Sequence, residues 1–312
     1  MTAETVTPSP ETIARAANML RAGKLVAMPT ETVYGLAANA ADAEAVARIY
    51  AAKARPQFNP LIAHVADFDM AEQEGLFSAQ ARALVEAFWP GPLTLVVNIA
   101  PTGTVCDLAR AGLDSIALRV PAHPVAQALL SAFRAPLVAP SANPSGQISP
   151  TKADHVAQDM ATKVDLILDG GSSAAGIEST IIDARGDTPA LLRPGTLAAD
   201  EIESVWPGLL RPALNPDAPQ SPGQLLRHYA PQAQLRLNVE TPEADEAYLA
   251  FGARDGALNL SASGDLTEAA ANLFAMLRTL DNQYERIAVA PIPQTGLGEA
   301  INDRLTRAAK PA

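Results

Sequence analysis

The stretch "KARPQFNPLIAHV", residues 53–65, decides how this chain is read. A helical pattern, "DAEAVARIYAAK" (42–53), runs into it, with Asp42 placed to cap the helix N-terminus. Pro56 and Pro60 bound a turn, and "LIAHV" (61–65) leaves the turn as a short buried strand. Helix, fixed turn and apolar strand in succession are the unit of an α/β fold. The same stretch gathers Lys53, Arg55 and His64, in a chain with only 23 Lys+Arg against 34 Asp+Glu. Scarce cations collected at the mouth of a buried strand call for a reason.

Working outward, the pattern repeats without strict alternation. Helical spacing is visible at 10–23, with Gly23 as a C-terminal stop, and at 78–89, 123–133 and 151–160. Strands are expected at 24–30, 93–99, 115–120, 136–141, 165–169, 179–184 and 189–193. The residues before the first helix, with Pro8 and Pro10, read as a short polar tail. Many strands with interspersed helices predict a mixed, twisted sheet. After Trp206 the composition changes: "PGLLRPALNPDAPQSPGQ" is dense in proline, the mark of a semi-rigid connector. Beyond it come strands near 234–239, 247–252, 256–261 and 286–291, and helices near 266–282 and 297–309. The expected division is a first domain over 1–207 (core 11–198), a linker over 208–232 and a smaller α/β domain over 233–312. No internal repeat of fixed period is present.

Composition narrows the function classes. At 312 residues, the chain can bury a sizeable core and suits two domains better than one. With 48% hydrophobic and 18% charged residues it is a folded protein rather than a disordered one. A formal net charge of −11 disfavours broad binding to nucleic acid, which needs clustered cations. The single cysteine, Cys106, can form no intramolecular disulfide and does not suggest a zinc site. No apolar run approaches a membrane span, and the N-terminal residues lack a basic segment followed by an apolar one. A cytoplasmic protein is the default expectation.

Polar groups recur at strand ends: "PTETVYG" (29–35), Arg119 in "ALRVP", "APSANPSGQISPT" (139–151), "GIEST" (176–180) and Arg193 in "LLRPG". Each has an ordinary explanation. Ser, Thr and Asn beside Pro or Gly are mostly turn residues. A lone histidine such as His64 is more often a core residue than a functional one. Lys53 would serve simply as a cation at a helix C-terminus, and Arg119 as the partner of a core carboxylate. Together they argue for more. Arg55, Arg119 and Arg193 each lie at or near a strand end beside hydroxyl-rich loops. Guanidinium forks suit carboxylates and phosphates, and prolines hold such loops in advance of a ligand. Neither the P-loop pattern nor the dinucleotide-binding glycine fingerprint is present. Nor is there a Ser-His-Asp set or a metal-spaced His/Cys cluster. The expected chemistry rests on positioning and charge stabilisation around an anionic small ligand.

In order along the chain, "PTETVYGLAANA", "KARPQFNPLIAHV", "WPGPLTLVV", "IALRVPAHPVA", "APSANPSGQISPT", "DLILDGG" with "GIESTIID", "LLRPG" and "SPGQLLRHYAP" resemble the threonylcarbamoyl-AMP synthase family in its long, two-domain Sua5 form. These blocks span residues 24–232, and "GLGEAINDRLTRAA" adds a weaker match beyond them. The resemblance implies a YrdC-like twisted mixed sheet around a large concave cavity, plus a smaller Rossmann-like Sua5 domain. It implies formation of threonylcarbamoyl-AMP and pyrophosphate from L-threonine, bicarbonate (or CO2) and ATP with Mg2+. The product would feed the t6A modification at position 37 of tRNA through a downstream transferase.

Position by position, the resemblance implies that Thr32, His64, Arg119, Ala139 and Ser179 hold threonine. It implies that Arg55, Asn59, Ser115, Ser141, Ser149 and Arg193 hold ATP, with Lys53 near the phosphates as a catalytic cation beside Arg55. Tyr229 would cover the cleft. Two departures stand out. Ala37 replaces a glycine common in the family, and the linker lacks the Met-Lys-Tyr run that often follows its Ser-Pro-Gly. Two other readings stay open: an RNA-binding module of the same fold, and carbamoyl transfer to other amines. The net charge counts against the first. The second usually comes with acylphosphatase-like or zinc-finger regions, and neither is visible.

Overall fold

A computed structural model describes residues 2–212, 221–222 and 227–311. The parts of the expected linker at 213–220 and 223–226, including the Gln224–Leu226 departure, lie outside the described residues. The main body is an 11-stranded sheet. Its strand order runs Glu4–Val6, Leu166–Leu168, Val26–Met28, Gly35–Asn39, Leu137–Val138, Ile62–His64, Ser115–Arg119, Leu93–Ile99, Thr180–Asp183, Ala190–Arg193. Gly75–Leu76 pairs off this path with Leu93–Ile99. Parallel and antiparallel pairs mix, as expected. Helices Pro10–Arg21 and Pro124–Phe133 pack on one face over an apolar cluster that includes Leu20, Met28, Leu129 and Leu166. Ala43–Lys53 and Ala79–Phe88 cover the larger cluster built on Tyr34, Leu36, Ile49, Leu84 and Leu95.

Local chemistry accounts for the element ends. The Ser9, Asp42, Ser78 and Asp265 side chains each accept a backbone N–H in the first turn of their helices. Gly23, just past the first helix, has a φ of +71°, the left-handed turn expected of a C-terminal stop. Three strands were not expected, Gly75–Leu76 among them. Glu4–Val6, read as polar tail, pairs parallel with Leu166–Leu168. Gly35–Asn39, given no element in the sequence reading, pairs with Val26–Met28 and Leu137–Val138. "GLAAN" has low strand propensity, and pairing on both sides overrides it. Of the expected strand at 256–261, only Leu258–Asn259 forms.

The second unit carries a 4-stranded, all-parallel sheet in the order Gln234–Arg236, Arg286–Val289, Ala247–Ala250, Leu258–Asn259. Helices Leu266–Asp281 and Leu297–Ala308 pack against each other and complete an α/β unit. Its apolar cluster does not stop at its own residues: Val33, Ile148 and Ile177 from the first unit enter it, with Tyr229. Arg278 of this unit pairs with Asp159 at 2.6 Å and donates to the Ile148 carbonyl. Among the described residues no helix is long and apolar enough to cross a membrane.

The backbones of the two units come close together at Gly176, whose φ is +73°. A Cβ there would lie 2.5 Å from backbone atoms of Ala270 and Ala271 in helix Leu266–Asp281. Gly176→Ala is therefore expected to destabilise the protein by about 1–3 kcal/mol, through left-handed strain and backbone overlap. Thermal unfolding should show a midpoint lower by a few degrees; an unchanged midpoint would mean the helix does not pack there.

Candidate active site

Strands Ile62–His64 and Ser115–Arg119 run parallel in register, with His64 beside Arg119. Residues paired this way project from the same face, so both side chains reach one cavity. Opposite them, Gly35 and Ser141 form an isolated antiparallel bridge. A Cβ on Gly35 would come within 3.1 Å of the Ala139 Cβ, so the glycine lets the two walls close. The third wall comes from Thr180–Asp183 and Ala190–Arg193, whose register shifts between Ile181 and Ile182. A bulge of this kind re-aims a side chain. Here Arg193 turns back to donate through Nη2 to the Ser179 carbonyl at 2.8 Å and to Ser179 Oγ at 3.1 Å.

The cavity is lined by Thr32, Arg55, His64, Arg119, Ala139, Ser141, Ser179, Arg193 and Tyr229, all singled out in the sequence. Glu178, His228 and Pro222 also line it. Four further expected residues lie behind the wall. Lys53 Nζ donates to the carbonyls of Ser141 and Asn143, so the ammonium pins the loop that carries Ser141. Ser149 Oγ donates to Glu178 Oε1 at 2.5 Å. Ser115 begins the strand that Arg119 ends, roughly 13 Å away at the usual strand rise. Asn59 is fully buried, and both its amide oxygen and nitrogen lack partners among the described residues. An unmet buried amide costs about 1–3 kcal/mol.

Three arginines converge on this space. Arg55 is anchored by the carbonyls of Asn59 and Pro60. Arg119 donates Nε to the Gly91 carbonyl, Nη1 to Thr32 Oγ1 and Nη2 to Glu31 Oε1. Burial brings Arg55 down to about 10, still charged at neutral pH, and lowers Lys53 well below its ordinary value. Glu31 and Glu178 are both pushed up by burial, yet their arginine partners win and hold them below the usual carboxylate range. Neither glutamate was among the expected site residues. The available signal was their position inside "PTETVYG" and "GIEST", next to Thr32 and Ser179.

The resemblance implies a large cavity, but the space left is about 50 Å³. Tyr229, His228 and Pro222 are among its lining residues. Tyr229 stands at a left-handed φ of 61°, an uncommon conformation for a non-glycine residue. It is stacked on Phe274 at 5.5 Å between ring centres and packed against His228 at 4.0 Å.

Burial, reinforced for His64 by Arg119, lowers both His64 and His228 to about 3, so both imidazoles are neutral at pH 7. A histidine whose folded pKa lies below its unfolded value favours the folded state above the unfolded pKa, and that contribution is lost as pH falls. For His64 the window runs from 6.5 down to about 3. His64→Gln should flatten the dependence of folding stability on pH in that window by roughly one proton, about 1.4 kcal/mol per pH unit. Denaturant titrations at several pH values would measure this; an unchanged slope would mean that the imidazole is protonated in the folded protein.

Comparison with known proteins agrees with this geometry. A family model described as "Telomere recombination" matches residues 18–195, and one described as "Threonylcarbamoyl-AMP synthase, C-terminal domain" matches 197–310. A Bacillus subtilis protein named threonylcarbamoyl-AMP synthase is 40% identical, over 99% of this chain and 96% of its own. A Pyrococcus abyssi protein of the same name is 41% identical, over 94% of this chain and 92% of its own. The crystal structure of P. abyssi Sua5 complexed with L-threonine superposes with a TM-score of 0.90 at 39% identity, covering 99% of this chain and 98% of that one. The matches cover both units and run nearly end to end, so this chain belongs to the threonylcarbamoyl-AMP synthase family, in its two-domain Sua5 form.

Proposed function

We propose that this chain makes threonylcarbamoyl-AMP and pyrophosphate from L-threonine, bicarbonate or CO2, and ATP, for the t6A modification of tRNA position 37. The observation that carries the reading is the Arg119 fork. It already grips a carboxylate, that of Glu31 at 2.5 Å, in a buried site beside Thr32 and His64. An α-amino acid carboxylate fits the same donors, displacing Glu31. The freed Glu31 carboxylate, with its buried and unpartnered Oε2, is then a partner for the ammonium group. Ala139 and Ser179 complete the threonine side.

Arg55, Ser141 and Arg193 would face the triphosphate, with Asn59, Ser115 and Ser149 reached once the cavity widens. Lys53 acts through the loop it pins, which presents Ser141. The threonine amine adds to CO2 and loses a proton, giving a carbamate. A carbamate oxygen attacks the α-phosphorus, and the bond to the bridging oxygen of pyrophosphate breaks. Charge builds at the α-phosphoryl oxygens and the leaving group, where fixed guanidinium groups in a dry site act most strongly. Among the described residues no cluster of three or more His, Cys, Asp or Glu side chains could hold a metal ion. Mg2+ is accordingly read as part of the substrate, carried on ATP oxygens and water.

Tyr229 and His228 exclude water from a carbamate that would otherwise decompose, the use of a lid. In this reading residues 1–207 are catalytic, 208–232 form the linker that bears the lid, and 233–312 form a second domain. The protein works in the cytoplasm and passes its product to a separate transferase. An enclosed cavity suits small substrates better than a nucleic acid, and a surface of net charge −11 points the same way.

The test is pyrophosphate release with labelled threonine, bicarbonate and ATP. Release that is unaffected by omitting threonine would sink the reading. Arg119→Gln should raise the KM for threonine by about tenfold or more, the worth of charge-assisted hydrogen bonds, and should affect the KM for ATP less. The reverse pattern would remove the carboxylate role of Arg119.

A further inference from the structure

Arg304, in helix Leu297–Ala308, is 1% exposed and among the largest fully buried side chains. It shares a helix face with Ile301, Leu305 and Ala308, all buried, so a guanidinium stands where an apolar side chain would be expected. Its partners lie in the other unit. Nε donates to Glu178 Oε2 at 2.8 Å, and Nη1 donates to the Pro194 carbonyl at 2.9 Å. Asp303 of its own helix takes a second bond from Nη1 at 2.7 Å. The guanidinium carbon lies 5.1 Å from the centre of the Tyr229 ring. Nη2 is buried with no hydrogen-bond partner among the described residues.

Glu178 is the carboxylate that lines the cavity. Left to itself among the groups that would receive a triphosphate, it would repel that ligand or turn to pair with Arg55 or Arg193. Instead both its oxygens are engaged, Oε2 by Arg304 and Oε1 by Ser149. Arg304 thus neutralises Glu178, the acidic residue among the described residues that line the cavity, from behind, leaving the forward face to the cations. The neighbouring packing keeps it there. Ile177 enters the apolar cluster of the C-terminal unit, and Gly176 lies against the backbone of helix Leu266–Asp281. The aromatic lid residue rests between Arg304 and Phe274, both from the C-terminal unit.

We propose that Arg304, supplied by the C-terminal unit, is a positioning residue for the nucleotide half of the cavity and acts through Glu178. The C-terminal unit is in this sense part of the active site, without a group of its own on the reacting atoms. The inference rests on the reading of the cavity as an ATP site.

The test is a double-mutant cycle on the full-length chain with Arg304→Gln and Glu178→Gln. It is read as KM for ATP and for threonine, and as the Kd of a non-hydrolysable ATP analogue. R304Q is expected to raise the ATP KM and the analogue Kd by about tenfold, with the threonine KM moving less than about threefold. In the E178Q background the same substitution should move the ATP values less than about threefold, because no uncompensated carboxylate remains. Equal effects in both backgrounds would overturn the proposal, as would a loss confined to kcat or shared by both substrates. Should R304Q fail to fold, Arg304→Met, which also removes the charge and keeps the length of the side chain, takes its place in the same cycle with the same deciding outcomes. Coupling in the analogue Kd without threonine-dependent pyrophosphate would uphold the positioning role and reject the reaction assigned above.

Discussion

A buried guanidinium must have its charge and its donors satisfied, and this protein buries four around one cavity: Arg55, Arg119, Arg193 and Arg304. Each is met partly by backbone carbonyls, those of Asn59 and Pro60, Gly91, Ser179, and Pro194 respectively. These carbonyls all lie just outside the strands, in the loops that enter or leave them. The Pro-rich segments between the strands supply them. An acidic chain with few cations can in this way concentrate positive charge in one internal place while its exterior stays negative.

The same constraint explains why carboxylates stand so close to a site meant for anions. Glu31 pairs with Arg119 and Glu178 with Arg304. They differ in how they are held. Glu31 pairs through one oxygen while its other is buried without a partner among the described residues, and in the proposed reading it yields its place to a substrate carboxylate. Glu178 is tied from behind by a second buried arginine and from the side by Ser149, so it stays where it is. A cavity can hence be neutral enough to fold and cationic enough to work.

The two units are joined by more than a tether. Val33, Ile148 and Ile177 each sit one residue from an expected or observed site group, Thr32, Ser149 and Glu178, and each is packed into the apolar cluster of the C-terminal unit. The wall that meets substrate and the wall that meets the second core are opposite sides of the same short segments. Close packing of this kind transmits displacement poorly in small steps and well in discrete ones.

Much was legible from residues alone. The α/β class followed from hydrophobic runs of strand length set between helical spacings. Arg55, Arg119 and Arg193 declared themselves as cations at strand ends beside hydroxyl-rich loops, and the motif order declared the family. Lys53 read as a cation at a helix end, which the resemblance places near the phosphates, and neither reveals that it reaches two carbonyls about 90 residues away. The strand Gly35–Asn39 was hidden because alanine and glycine have little strand preference of their own. The Glu178–Arg304 pair joins positions separated by 126 residues, and nothing local couples them. Local sequence determines which groups are present and which segments carry them, because propensity and periodicity act over a few residues. Which charge neutralises which, and which distant groups meet at one cavity, only the tertiary structure decides, because burial and Coulomb interactions depend on distance in space.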